Sequence, residues 1–394
     1  DWRTFDFAAD PDAVSRWGLD SPILSTGVPL QTRPNRARKP RRQAFFAELL
    51  PEGDMLTQLA EEAGVGIFDV VALLRHYGRD VAGALQIWDP TAPGEPRTPH
   101  TEERTDSGVA ELLREVRRNP IGNSTPTGKS SLAGVQDKIV LALVDGTWHR
   151  ALDGYPSTHI LKPAPIDQPQ LIFDEEYGAR IARGIGLAAF ETRTETFDGT
   201  RALVIERYDR APNAPQRRIH QEDFSQALGA RGNQKYQKIG GVVSLERIAR
   251  VLREYTAESS LHGLLRMVTL SAAVGNLDMH AKNISLLHPH DDEPRLAPMY
   301  DVVPQAHHQG IDGELALAVN RVYAHRDLTR EDIVVEALMW GVRDPRPIID
   351  STLEQVRELA RIETPQPESH PGLQADIVRF TTRLLDGRAA GEGK

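Results

Sequence analysis

The chain has 394 residues, which is enough for two or three domains with a large apolar core. Its hydrophobic fraction of 40% and charged fraction of 26% are typical of a globular protein, and its net charge of −9 gives no general attraction for nucleic acid. The absence of cysteine excludes disulfides and thiolate metal sites and favours a reducing cytoplasm. No apolar run approaches the ~18 residues that a membrane helix needs, so we expect no membrane span.

The first part of the chain, residues 1–106, alternates short apolar segments with helical patterns, and we expect it to form an N-terminal subdomain. Helices are predicted over residues 44–50 and 67–77. A basic run at residues 33–42 is interpreted as a solvated loop and not as a DNA-binding element, because no aromatic residues are interleaved with it. The stretch 89–107 is rich in Pro, Thr and charge, which predicts a surface loop or linker.

A loop rich in glycine and hydroxyl groups at residues 122–130 precedes a predicted strand. It looks like a Walker A motif, but five residues separate Gly122 from Gly128 where that motif has four, and the motif opens a helix instead of a strand. We therefore reject a P-loop nucleotide hydrolase. Two interpretations stay open: an ordinary mobile connection, and a loop whose backbone amides, up to Gly134, bind ATP phosphates.

Three polar features on the following elements suit a nucleotide site. A predicted strand ends in Lys162, which is placed to neutralise ATP phosphates or is simply a surface lysine. Glu175 or Glu176, in the first turn of the next predicted helix, is placed to orient that lysine, although acids there also complement the helix dipole. Glu206 and Tyr208 end a further apolar strand, which is interpreted either as a hinge whose backbone contacts adenine or as a plain buried strand.

The polar loop at residues 275–283, with the sequence GNLDMHAKN, carries the clearest chemical signal. The predicted helix before it, residues 261–274, is apolar nearly all round, so it belongs in a core and supports the loop rigidly. Asp278 and Asn283 have the Asp-x-x-x-x-Asn spacing of the catalytic loop of protein kinases. A second acid, Asp301, follows a predicted hairpin of two short strands, as a magnesium ligand does in those enzymes. The alternative is a chance pairing of polar loop residues.

These motifs together resemble a known family. In chain order they are FFAELLPEG, GRDVAGA, SLAGVQDK, THILK, VIERYDR, HQEDF, the KY and GG pairs at residues 235–241, GNLDMHAKN and YD. They are similar to the HipA-type serine/threonine kinases of bacterial toxin–antitoxin modules, in the family's order and over nearly the whole chain. The resemblance implies an α+β, protein-kinase-like fold of two lobes. We expect the N-terminal subdomain at 1–106, a mixed α/β N-lobe at 107–225, an all-helical C-lobe at 226–386 and a disordered tail at 387–394.

The resemblance also implies the roles of individual residues, with ATP and Mg²⁺ as cofactors. Asp278 would be the catalytic carboxylate, and Asn283 and Asp301 would be the magnesium ligands. Lys162 would bind the phosphates, and the expected nucleotide-binding set is completed by Glu206, Tyr208, Gly134 and Asn283. We expect supporting roles around the active site for Glu176, Gln221, Glu222, Asp223, His280 and Lys282.

Regulation and partners follow from the same resemblance. Ser131 would be phosphorylated by the kinase itself, and the added charge would repel ATP and inactivate the enzyme. A HipB-like helix-turn-helix antitoxin would hold the toxin inactive and would make most of the contact with operator DNA. The expected substrate is an aminoacyl-tRNA synthetase or another translation factor, whose phosphorylation arrests growth. Two other functions stay open: a catalytically silent, nucleotide-binding co-repressor, and a small-molecule kinase.

Overall fold

The computed structural model describes residues 5–118, 136–308 and 310–391. The chain separates into two compact units that each draw on several segments. The first unit comprises Asp1–Pro165, Glu191–Glu222 and Leu287–Asp292, and the second comprises Ile166–Phe190, Asp223–Leu286 and Glu293–Lys394. Within the described ranges, no helix combines the length and the apolar character that crossing a bilayer requires.

Helices and strands are both abundant, which confirms the predicted α+β class. The helices are α1 (Pro11–Trp17), α2 (Lys39–Ala47), α3 (Gly53–Ala63), α4 (Val70–Tyr77), α5 (Asp106–Arg118), α6 (Leu171–Gly184), α7 (Phe224–Leu228), α8 (Leu245–Tyr255), α9 (Glu258–Val274), α10 (Arg330–Met339), α11 (Pro345–Ile362) and α12 (Leu373–Leu385). The strands are β1 (His100–Arg104), β2 (Ile139–Val144), β3 (Thr147–Leu152), β4 (His159–Pro163), β5 (Thr192–Phe197), β6 (Thr200–Glu206), β7 (His220–Asp223), β8 (Ser285–His288), β9 (Arg295–Leu296), β10 (Glu314–Val319) and β11 (Val322–Ala324).

The main sheet of the first unit has six antiparallel strands in the order β1-β3-β2-β4-β6-β5. Helix α5 packs its apolar face on the sheet, and Val109, Leu113 and Val116 of this helix are at most 1% exposed. Strand β4 lies inside the sheet, where Lys162 pairs with Leu203 of β6. The predicted strand lysine therefore starts from a rigid, buried backbone.

Helix α9 is the central element of the second unit. It is buried along most of its length, and α8, α10, α11 and α12 pack against it. The helix ends at Gly275, which takes the left-handed conformation with a φ of 72°. A Cβ atom at this position would lie 2.6 Å from the Cβ of Ala306, so only glycine allows the chain to turn here without a clash. The turn leads directly into the loop that carries Asp278.

The basic run at residues 33–42 is solvated, as the sequence predicts, only in its first part, where Arg33, Arg36 and Arg38 are exposed. Helix α2 begins inside the run, and Arg42 is only 5% exposed. The guanidinium of Arg42 donates from Nε and Nη2 to the two carboxylate oxygens of Asp6, at 2.6 and 2.9 Å. Pairing with a carboxylate allows an arginine to be buried, and the run alone does not reveal so distant a partner.

Three predicted segments also differ from the structure. The expected linker at 89–107 contains β1, because its backbone pairs with β3 and extends the sheet by one edge strand. The predicted strand at 295–299 is reduced to the two residues of β9. The prediction of a disordered tail is wrong for residues 387–391, where Ala390 is fully buried and its amide donates to the carbonyl of Leu328 at 2.9 Å.

Candidate active site

Hydrogen bonds within the loop after α9 explain the five-residue spacing of its acid and amide. The side-chain oxygen of Asn276 accepts from the amide of Asp278 at 3.2 Å. The carbonyl of Asp278 in turn accepts from the amide of His280 and from Nδ2 of Asn283, both at 2.8 Å. The side chain of Asn283 is therefore hydrogen-bonded to the backbone of Asp278. This bond fixes the position of the Asn283 side chain relative to Asp278.

The carboxylate of Asp278 is both supported and accessible. The Tyr236 hydroxyl donates to Oδ1 at 3.2 Å, and Nε2 of His280 lies 4.0 Å from Oδ2. The rings of Tyr236 and His280 meet edge to face with their centroids 5.3 Å apart. Because 43% of the Asp278 side chain remains exposed, a substrate hydroxyl can reach it. An ionised carboxylate in such a setting can accept a proton.

Tyr236 is a residue to which the sequence assigns no role at the site. Its only signal is the Lys235–Tyr236 pair among the family-like motifs, which does not indicate a contact with Asp278. The two residues are far apart in the chain, so only the fold of the second unit brings the phenol to the carboxylate.

Asp301 is fixed by the tyrosine that precedes it. The hydroxyl of Tyr300 donates to the carbonyl of Lys282 at 2.6 Å and shares a second hydrogen bond of 2.6 Å with the Ser285 hydroxyl. Lys282 is the neighbour of Asn283, so the Asp301 segment is tied to the loop that carries the amide. Asp301 itself has a positive φ of 57°, which sets the direction of its side chain.

The chemistry of Asn283 and Asp301 fits a magnesium ion. Asn283 is 8% exposed and uses Nδ2 in its hydrogen bond to Asp278, which assigns Oδ1 as the atom that can face a cation. Asp301 contributes a carboxylate. Carboxylate and amide oxygens are the hard ligands that Mg²⁺ prefers.

The predicted nucleotide-binding residues of the described part of the first unit lie on β4, at the end of β6 and just after it. Lys162 of β4 is 6% exposed. A carboxylate oxygen of Glu206 accepts from the amide of Glu191 at 3.3 Å, and the hydroxyl of Tyr208 donates to Oε1 of Gln221. Gln221 thus positions Tyr208 by a direct hydrogen bond. Ser131 and Gly134 lie outside the described residues.

Glu222 and Asp223 have structural partners. The buried carboxylate of Glu222 accepts from the Ser25 hydroxyl at 2.5 Å, the Thr26 amide at 2.7 Å and Nε2 of His288 at 3.1 Å. Burial by itself raises the pKa of Glu222, but these hydrogen bonds and the nearby imidazole outweigh it, so the pKa is lowered. Asp223 accepts from the amide of Gln226 and forms a capping box at the start of α7.

The remaining predicted supporting residues lie in the second unit. Oε2 of Glu176 accepts from Nη2 of Arg180 and from the side-chain Nε2 of Gln366, both at 3.2 Å. His280 and Lys282 are 6% and 7% exposed, so they line the interior of the loop instead of its surface.

Comparison with known proteins is consistent with the resemblance that the motifs indicate. Residues 130–360 match the model of the HipA-like C-terminal domain, and residues 3–88 match the HipA N-terminal domain. The putative kinase Y4mE of Sinorhizobium fredii is 31% identical, over 84% of this chain and 82% of that protein. The serine/threonine-protein kinase toxin HipA of Shewanella oneidensis is 27% identical, over 97% of this chain and 91% of the toxin.

The fold has a solved counterpart. A chain in the structure of the Shewanella oneidensis MR-1 toxin–antitoxin system, a complex of HipA, HipB and operator DNA, superposes with a TM-score of 0.76 at 23% identity. The match covers 98% of this chain and 92% of that one. Because the C-terminal family model alone spans more than half of the residues, the chain belongs to the HipA family.

Proposed function

We propose that this chain is an ATP- and Mg²⁺-dependent serine/threonine protein kinase that acts as the toxin of a toxin–antitoxin module. The observation that carries the proposal is the closed loop from Asp278 to Asn283. It presents an accessible carboxylate supported by Tyr236, next to an amide whose oxygen is assigned to face a cation. The neighbouring Asp301 segment is tied to the same loop through Tyr300.

Each of the proposed active-site residues has a separate role in phosphoryl transfer. Asp278 accepts the proton of the substrate hydroxyl as its oxygen attacks the γ-phosphorus of ATP and the bond to the β-phosphate oxygen breaks. Tyr236 holds one carboxylate oxygen in place and leaves the other to face the hydroxyl. Asn283 and Asp301 would hold Mg²⁺, which, when bound, neutralises the charge of the phosphates. Lys162, on strand β4 of the first unit, supplies a positive charge of the kind that binds a phosphate of ATP.

The similar proteins support the finer parts of the proposal. One relative is named a serine/threonine-protein kinase toxin, which supports a growth-arresting role for this chain. The solved HipA–HipB–operator complex supports a HipB-like, DNA-binding antitoxin as its partner. Following the family resemblance, we propose an aminoacyl-tRNA synthetase or another translation factor as the substrate and Ser131 as the site of autophosphorylation.

The decisive experiment compares the wild type with Asp278→Asn. The change removes the proton acceptor but keeps the shape, so we expect phosphoryl transfer to fall by about 10²–10⁴ while the circular dichroism spectrum stays the same. The measurement is transfer of labelled phosphate from ATP, with Mg²⁺, to the chain itself and to purified aminoacyl-tRNA synthetases.

A matched control is Asp312→Asn, since Asp312 is an exposed aspartate of the same unit whose side-chain oxygen accepts from the amide of Glu314. It should keep full activity, because an asparagine oxygen accepts the same bond. Wild-type turnover in Asp278→Asn would rule out Asp278 as the base. Loss of activity in both variants would show that the effect is not specific to Asp278.

A further inference from the structure

A buried cluster of imidazoles and one carboxylate lies in the second unit, apart from the residues assigned to phosphoryl transfer. Asp174 stands in the first turn of α6, and His307 and His308 follow the Asp301 segment. Nε2 of His308 lies 3.1 Å from Oδ2 of Asp174, and Nε2 of His307 lies 3.8 Å from the same oxygen. The three side chains are 0–5% exposed. No role for the two histidines is predicted from the sequence, because their acidic neighbour comes from a distant helix.

The polar atoms of this cluster are incompletely satisfied. Both ring nitrogens of His307 are buried, and neither has a hydrogen-bond partner among the described residues. Leaving a buried polar atom unpaired destabilises the folded state, so such a group calls for a physical explanation. The 3.8 Å separation from Asp174 is too long for a hydrogen bond but is compatible with two ligands of one cation.

His370 adds a third imidazole and fixes the carboxylate. Its backbone amide donates to Oδ1 of Asp174 at 2.8 Å, which leaves Oδ2 facing the two histidines. Its ring packs on His307 with the centroids 4.3 Å apart and on His308 at 5.1 Å. An outer group that orients a ligating carboxylate in this way is a regular feature of metal sites.

The donor set and its spacing fit a zinc-like cation. Nitrogen and carboxylate ligands bind Zn²⁺ at about 2.0–2.1 Å in a tetrahedral arrangement, so two ligand atoms lie about 3.3 Å apart. The observed 3.1 and 3.8 Å lie on either side of this value, and the three candidate donor atoms all lie within 4.8 Å of one another. Two imidazoles exclude a typical magnesium or calcium site, because those ions prefer oxygen ligands.

We propose that Asp174, His307 and His308 form a binding site for a divalent cation of the zinc class, with His370 as a positioning residue. The cation takes one of the two buried nitrogens of His307 as a ligand and joins α6 to the segment after Asp301. The same segment is held at its middle by the amides of Gln305 and Ala306, which donate to the carbonyl of Gly275 at 2.8 and 3.0 Å. The role of the bound cation is thus to fix the position of the chain that follows Asp301.

The test is zinc binding by the full chain, measured independently of kinase activity. Protein treated with a chelator and dialysed is titrated with Zn²⁺ in competition with a chromophoric chelator, and bound metal is counted by mass spectrometry. We expect one zinc per chain, and a loss of affinity of at least about 100-fold in Asp174→Asn and in His307→Gln. The matched control is His262→Gln, a histidine whose side chain is 40% exposed on α9, which should bind zinc like the wild type.

Two further measurements separate the possible failures. Cobalt(II) added to the wild type should give the visible absorption of a tetrahedral nitrogen–oxygen site, which does not depend on whether any variant folds. Asp301→Asn should keep its zinc affinity, because the proposed magnesium ligand belongs to another site. The absence of stoichiometric zinc and cobalt binding by the wild type would overturn the proposal, and so would equal losses in Asp174→Asn and His262→Gln or zinc loss in Asp301→Asn. Kinase activity can fail in Asp278→Asn without changing any of these results.

Discussion

Asp301 combines a proposed metal ligand with a backbone conformation that most side chains avoid. Its φ of 57° lies in the left-handed region, where a residue with a Cβ is disfavoured by about 1 kcal/mol and glycine is not. A costly conformation at a position that also supplies a carboxylate is a pattern common at functional sites. The strain and the chemistry can be separated by mutation.

We predict that Asp301→Ala and Asp301→Gly both lose Mg²⁺-dependent ATP turnover, because both remove the oxygen ligand. Asp301→Gly should nevertheless be about 1 kcal/mol more stable than Asp301→Ala, because glycine tolerates the positive φ. Urea unfolding and labelled-phosphate transfer measure the two effects. An alanine variant as stable as the glycine variant would contradict the left-handed conformation, and a fully active glycine variant would contradict the ligand role.

Tyr236 supports the proposed base through a single hydroxyl, which makes it the simplest positioning residue to test. Tyr236→Phe removes the hydrogen bond to Asp278 and keeps the ring that packs on His280. Because the carboxylate is partly exposed, water replaces some of the lost contact, and we expect kcat to fall about fivefold, equivalent to about 1 kcal/mol, with little change in KM for ATP. Tyr323→Phe, on β11, is the control. An unchanged kcat in Tyr236→Phe would remove the tyrosine from the site.

At the scale of single elements, β7 carries a histidine, His220, whose neutral imidazole is favoured in the folded protein. Nε2 of His220 donates to the carbonyl of Leu24 at 2.7 Å, and Nδ1 faces the amide of Ala84 at 3.5 Å. Burial first, and then the neighbouring His288 ring, lower the pKa of His220 to about 4. A proton on Nδ1 would point at another N–H group, so protonation opposes the fold.

The folded-state pKa of His220 is below its ordinary value of 6.5, so between these values the unfolded state binds the proton and the folded state does not. The free energy of unfolding should therefore decrease as the pH falls from about 6.5 to 4, by up to about 1.4 kcal/mol per pH unit from this group. His220→Gln should flatten that slope in urea titrations at pH 7 and pH 5, and the surface variant His262→Gln should leave it intact. Identical slopes in all three proteins would refute the assignment.

Elements whose conformation is determined by neighbouring residues in the chain were predictable from the sequence. Elements that form only by pairing with residues far away in the sequence were not. Helix α9 shows the first case, because its apolar periodicity and the glycine after it are both visible in the chain. The loop from Asp278 to Asn283 follows for the same reason. Strand β1 shows the second case, since its polar sequence resembles a linker and only pairing with β3 makes it a strand. Tyr236 and His307 were missed because their partners lie far away in the sequence.

At the scale of the whole molecule, two of the family-like motifs turn out to serve packing within the first unit. GRDVAGA supplies Asp80, and VIERYDR supplies Arg207, Asp209 and Arg210. Oδ1 of Asp80 accepts from Arg210 at 2.8 Å and from Arg218 at 3.2 Å, and Arg207 donates to Asp209 at 2.8 and 2.9 Å. The resemblance between sequences thus includes a buried charge network as well as the loop from Asp278 to Asn283.

This network predicts an unusually large effect of one substitution. Burial alone raises the pKa of Asp80, but Arg210, Arg207 and Arg218 outweigh it and hold the pKa below its ordinary value, so the group is ionised. Asp80→Asn keeps the shape but leaves Arg207 and Arg210 to share Asp209, and it removes the carboxylate with which Arg218 pairs. Removing one partner from a buried ion network typically costs about 3–5 kcal/mol, and we expect a loss of that size in the free energy of unfolding of the first unit.

The matched control for Asp80→Asn is Asp89→Asn, in the same unit. Asp89 pairs with Arg75 at 2.7 Å, but the arginine side chain is 53% exposed, and such surface pairs contribute about 0–1 kcal/mol. Urea unfolding followed by tryptophan fluorescence, to which Trp148 in the core of the first unit contributes, measures both variants. If Asp80→Asn destabilises the protein no more than Asp89→Asn, the guanidinium groups must find other partners or water, and the network does not hold the first unit together. If Asp80→Asn lowers the free energy of unfolding several times more than Asp89→Asn does, the buried charges stabilise the first unit in addition to its apolar core.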